Sequence, residues 1–158
     1  MATHLIIIGD REPLSWVLEN QRMAFPAGRT TGFPEKDDEI FVYTTRACYR
    51  NPGRDRGRIM GHATATSEVT SLAEPLSFGA KVFTSGCTLR VHGLARRHDG
   101  VILSDLVPQL QVFPDPKSWS ARIRRASLVL PEPDADLLRR ELQPMLKTRT
   151  SVLGQYLV

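Results

Sequence analysis

Lysine is scarce in this chain of 158 residues, with 4 against 17 arginines. Cysteine is scarcer still: Cys48 and Cys87 alone, with no CxxC spacing, so there is no disulfide framework and no zinc site without histidine help. His62 and His92 would have to supply that help, but both fall in strand-like segments at no known ligand spacing. No metal or other cofactor is therefore expected, and the thiols read as reduced, structural groups of a cytoplasmic protein. No apolar run approaches the ~20 residues of a membrane span, so no membrane partner is expected. Met1 to Ile8 is too short, and lacks the basic start, to read as a signal peptide. Internal repeats and low-complexity segments are absent.

Catalytic motifs are missing too. Gly28 and Gly32 lie in the wrong context for a phosphate-cradling loop. Ser15, Ser67, Ser85 and Ser120 have no flanking GxSxG, and the histidines match no known triad order. The acids Asp10 and Glu12 stand at a strand-to-helix junction, where an acid favourably meets a helix N-terminus. Enzyme chemistry is thus unsupported by any motif, and no catalytic residue is assigned.

What is present is an ordinary globular composition, 41% hydrophobic and 24% charged, in a length that favours one domain. Such a chain buries roughly two thirds of its unfolded surface without a covalent staple. The net charge is +4, and its location says more than its size. Between Arg46 and Arg58 lie five arginines (Arg46, Arg50, Arg54, Arg56, Arg58) and a single acid, Asp55, while the rest of the chain balances. Guanidinium groups make forked hydrogen bonds to phosphate, and a loop with Asn51-Pro52-Gly53 can be shaped to follow a nucleic-acid backbone. Binding through five such contacts would depend strongly on salt. The alternative is a solvated loop, or one neutralised by the acidic run Glu35 to Glu39.

Along the chain, Leu5 to Ile8 reads as a buried strand. Pro13 opens a helix with Leu14, Val17 and Leu18 on one face, running to about Arg22. Phe25-Pro26-Ala27-Gly28 and Gly32-Phe33-Pro34 mark a loop. Strand patterns follow at Ile40 to Thr45, from Ile59 to about Thr70, and over Lys81 to Leu94, where Gly86 suggests a bulge or bend. Val101 to Leu103 is short and β-like, and Ser104 opens a helical turn. Trp119 to Leu130 reads as a turn and then a strand, and Pro133-Asp134 starts a helix carrying Leu137, Leu138 and Leu142. This order predicts an α+β domain over residues 1–146, a small curled sheet or barrel of five or six strands flanked by short helices. Residues 147–158 form a tail, read as an edge strand, a docking segment or disordered.

The order of these features resembles the EVE domain family of the PUA-like superfold, a relative of the YTH readers of methylated adenine. The likeness runs from about Leu5 to Leu142. It is carried by Gly9-Asp10-Arg11-Glu12, by Met23-Ala24-Phe25-Pro26 where the family often has Trp-Gly-Val, and by Asp37-Asp38-Glu39-Ile40-Phe41-Val42-Tyr43. Arg58-Ile59-Met60-Gly61-His62-Ala63 and Leu106 to Phe113 followed by Trp119-Ser120 complete it. The resemblance implies a small barrel with a pocket for a flipped, modified base, which needs flat apolar walls and a few polar groups to read the base edge. It assigns Asp10 as a polar reader, Met23, Phe25, Tyr43 and Trp119 as walls or supports, and Arg122 as a nearby cation. The expected function is a non-catalytic reader of modified nucleic acid, DNA slightly before RNA, acting alone or with a nuclease partner. The alternatives are a small hydrolase or ribonuclease of the ASCH type, whose Gly-x-Lys-x-x-Glu signature is absent here, and a protein-interaction module using the apolar tail.

Overall fold

The computed structural model describes residues 1–29 and 31–158. Thr3–Ile8 (β1) is buried at nearly every position and apolar from Leu5 onward, as befits a strand with neighbours on both edges and cores on both faces. It pairs in parallel with Glu39–Thr44 (β3), and a parallel pair needs a long crossover. That crossover holds the helix Arg11–Asn20 (α1) and the strand Arg22–Pro26 (β2). The remaining strands are Arg58–Ala65 (β4), Thr70–Phe78 (β5), Lys81–Leu94 (β6), Val101–Ile102 (β7) and Ser127–Leu130 (β8), all paired antiparallel. Six strands follow the path β2-β6-β4-β3-β1-β8, with β5 added to β6 and β7 to β4. The result is an α+β fold on a curled half-barrel sheet, as the strand patterns predict.

Alternation along the strands sorts two cores. Ile6, Ile8, Ile40 and Val42 point inward with Leu14, Val17 and Leu18 of α1. Leu5, Phe41, Tyr43 and Ile59 point outward, beneath the turn Leu103–Leu106 (α2) and the helix Glu132–Leu142 (α4). Buried Asp134 ties the outer layer down by accepting the backbone N–H groups of Gln111 and Val112, both at 2.8 Å.

Several boundaries differ from the sequence expectation. The first helix stops at Asn20 because Gln21 turns left-handed (φ 49°) with its N–H on the Val17 carbonyl. Arg22 to Pro26 then forms a strand where the end of the helix, at about Arg22, and the start of a loop, at Phe25, are expected. Pro26 is tolerated because β2 pairs only with β6. β5, carrying Pro75, is likewise paired on one side only. Gly86 is a point of close approach, facing Ala24 and Thr70, where a Cβ would overlap the Met23 carbonyl. The expected irregularity lies beside it, where the register of β6 against both β2 and β5 shifts between Ser85 and Phe83. The tail is folded onto the chain. Lys147 bridges Leu94, Arg149–Val152 forms a short helix (α5), and Arg149 donates to the carbonyls of Leu18 and Glu19 at the end of α1. Tyr156 is 1% exposed and donates to the Ala95 carbonyl.

Candidate functional site

Because β1 and β3 are parallel, both deliver their C-terminal ends to one edge of the sheet. There Gly9-Asp10 leads into α1, and Thr45 leads into the arginine segment. β8 enters on the other flank of β1, with the Ile7 N–H on the Ala126 carbonyl at 2.9 Å. A cavity of about 550 Å³ opens at this edge. Its floor is Ile7 to Asp10 with Thr45, and one wall is Met23 to Pro26 of β2. Pro13, Trp16 and Val17 of α1 form another wall, continued by Phe78, Lys81 and Phe83 of the β5–β6 hairpin. Ser120 and Ile123 to Ala126 close the far side.

Asp10 occupies the N-cap position of α1 with an extended backbone, yet its side chain makes no capping hydrogen bond. Its carboxylate is therefore not consumed by the helix, and it lines the cavity. Trp16, Phe78 and Phe83 form an aromatic arc: Trp16 meets Phe78 edge-on at 6.3 Å, and Phe78 meets Phe83 at 5.4 Å. The Arg22 guanidinium lies over the Trp16 ring, 5.6 Å from its centre. Phe25 is almost wholly buried but still contributes to the wall. It packs on Phe33 at 5.1 Å, and the Arg29 guanidinium stands over both rings at 5.0 and 5.3 Å while donating to Ser127 of β8. Arg29 thus joins the end of β2 to β8 across the open side of the half-barrel, and burial lowers its pKa.

Of the expected pocket residues, Asp10, Met23 and Phe25 line this cavity. Tyr43 does not. It is 1% exposed in the outer core, where burial pushes its hydroxyl up to about 12. Trp119 packs edge-on against Phe113, 6.0 Å away, also in the outer layer. Arg122 is exposed next to the lining segment without being part of it. Trp16, Phe78, Phe83, Arg124 and Arg125 carry no expectation from the sequence. For Trp16 the readable signal is an indole set off the stripe of Leu14, Val17 and Leu18, free to face something other than the core.

The arginine segment folds back on itself, with the N–H groups of Arg54 and Asp55 on the Asn51 carbonyl. Cys48 is fully buried and anchors it, its thiol pushed up to about 12, chiefly by burial. Arg46, Arg50 and Arg54 are exposed and, among the described residues, have no acidic partner. Arg56 is partly committed, 3.6 Å from Asp105 and 3.3 Å from the Ser104 hydroxyl. Arg58 is half-buried at the start of β4. The acidic run is engaged elsewhere: Asp38 holds His4 at 2.9 Å, and Glu39 holds His62 at 2.8 Å and Arg139 at 2.8 Å. Thr45 lines the cavity immediately before Arg46, and none of the five arginines lines it. Both cysteines are free, and among the described residues no three histidines, cysteines or acids are grouped to hold a metal ion.

No protein-family model and no curated protein matches this chain. Among solved structures it is similar to the NMR structure of Rpa0253 from Rhodopseudomonas palustris, a structural-genomics target. The two share 16% identity over 92% of this chain and 95% of that one, with a TM-score of 0.54. The likeness is one of fold.

Proposed function

We propose that this protein is a non-catalytic reader of nucleic acid, which admits one extruded, modified base to the cavity at the end of β1 while the Arg46–Arg58 segment holds phosphates. This reading keeps the PUA-like, EVE-type resemblance as its frame. The observation that carries it is the cavity itself: an aromatic arc and an uncommitted carboxylate in one concave site, one residue away from an exposed cationic loop. Aromatic faces suit a stacked base, and an acceptor-only carboxylate suits an amino group on its edge. At about 550 Å³ the site has the size that encloses a drug-sized ligand, which leaves room beside a base for its substituent.

The test is a binding titration against matched oligonucleotides carrying ordinary, methylated, hydroxymethylated or glucosylated cytosine, or methylated adenine. The reading expects one modified form to bind at least tenfold tighter than its unmodified match, with every strand recovered intact. Equal binding across the panel contradicts base reading, and cleavage or release of a base product favours the hydrolase alternative.

A further inference from the structure

A second cationic strip borders the cavity. Arg124 and Arg125 line it, and both side chains are exposed with no acidic partner among the described residues. They lie one residue, Ala126, before β8, whose Ser127 pairs with Ile6 of β1. On the opposite side, β3 pairs with β1 so that Ile8 faces Thr44, two residues before Arg46. The sheet order β3-β1-β8 therefore puts the arginine loop and the Arg124-Arg125 strip on opposite flanks of the β1 terminus. With neighbouring strands about 4.8 Å apart, the two flanks are separated by about 10 Å. Asp10 stands between them in the cavity floor. A carboxylate there repels phosphate from the floor and leaves it to a neutral group, while cations on either side attract the backbone.

We infer that Arg124 and Arg125 form a second phosphate-binding strip, so that a single nucleic-acid strand crosses the cavity mouth with backbone held on both flanks of β1. The inference rests on the reader proposal and adds to it where the strand runs and which residues hold it on the far side.

The test is the salt dependence of binding to a mixed-sequence single-stranded DNA oligonucleotide, compared among native protein, R124Q/R125Q, R46Q/R50Q/R54Q and R140Q. Each lost contact to a single strand lowers the slope of log affinity against log salt by about 0.7. R124Q/R125Q is expected to lower it by about 1.4, and R140Q, on the exposed side of α4, to leave it as in the native protein. All these side chains are exposed, so unchanged thermal unfolding verifies the fold. A native slope in R124Q/R125Q, with a reduced one in the loop variant, overturns this inference alone. An equal drop per charge in R140Q overturns it as well, since the effect is then one of net charge. If the native protein binds no oligonucleotide, the reader proposal fails and this inference falls with it.

Discussion

Glu39 shows how a single side chain links the sheet to its covering helix. Burial pushes its carboxyl up, but hydrogen bonds from Arg139, His62 and Thr3 together outweigh that and hold it below the ordinary 4.5. A carboxyl depressed by folding adds stability above its unfolded pKa, and that stability is lost as pH falls through the folded one. Asp38 acts in the same direction: burial raises it, while the N–H groups of Glu35 and Ala2 and the His4 ring hold it below 3.8. Chemical denaturation is therefore expected to show falling stability below about pH 4.5, with a shallower acid limb in E39Q. At neutral pH, E39Q is expected to cost about 1–3 kcal/mol, because Arg139 and His62 lose a charged acceptor. A native-like acid limb in E39Q would show that Glu39 is not the group responsible. Asp10 has the opposite role. D10N is expected to leave thermal stability and the salt slope unchanged but to reduce discrimination between modified and unmodified bases by about 1–3 kcal/mol, read from paired titrations. Gly57 is constrained by its neighbour, since a Cβ would overlap the Tyr43 ring. G57A should lose about 1–3 kcal/mol of stability, measured by denaturant unfolding.

Among the elements, those with clean periodicity were legible in the sequence. Leu14, Val17 and Leu18 mark the buried face of α1, and the Lys81 to Leu94 pattern coincides with β6. β2 was not legible, because Pro26 reads as a breaker until one knows that the strand pairs on a single side. The segment of β5, with Pro75 in it and paired on one side only, carries no strand expectation. The outward placement of Tyr43 follows from period two once Phe41 is assigned to the outer core, but sequence alone does not say which core borders the cavity. The tail was undecided because its anchoring is tertiary: Tyr156 reaches Ala95, and Arg149 caps α1, both far away in sequence. Y156F is expected to cost about 0.5–1.5 kcal/mol for the hydrogen bond, and Y156A about 3–5 kcal/mol for the emptied site. Truncation after Lys147 should accordingly lower the thermal midpoint. A truncated chain with native stability but an altered oligomeric state would instead point to the interaction-module alternative.

For the molecule as a whole, charge is organised around one edge of the half-barrel. Summing charge along the chain found the arginine loop, but it hid the strip at Arg122 to Arg125, because acids elsewhere balance it. Only the β3-β1-β8 order reveals that the two basic segments flank one cavity. The most direct measurement of the central claim uses the two tryptophans, of which Trp16 lines the cavity and Trp119 does not. In W119F, Trp16 is the sole indole, and its emission reports on the cavity during titration with matched modified and unmodified oligonucleotides. The account predicts saturable quenching by the modified strand at a concentration at least tenfold below that which its unmodified match requires. Equal quenching by both strands, or tight binding that leaves Trp16 emission unchanged, would contradict it.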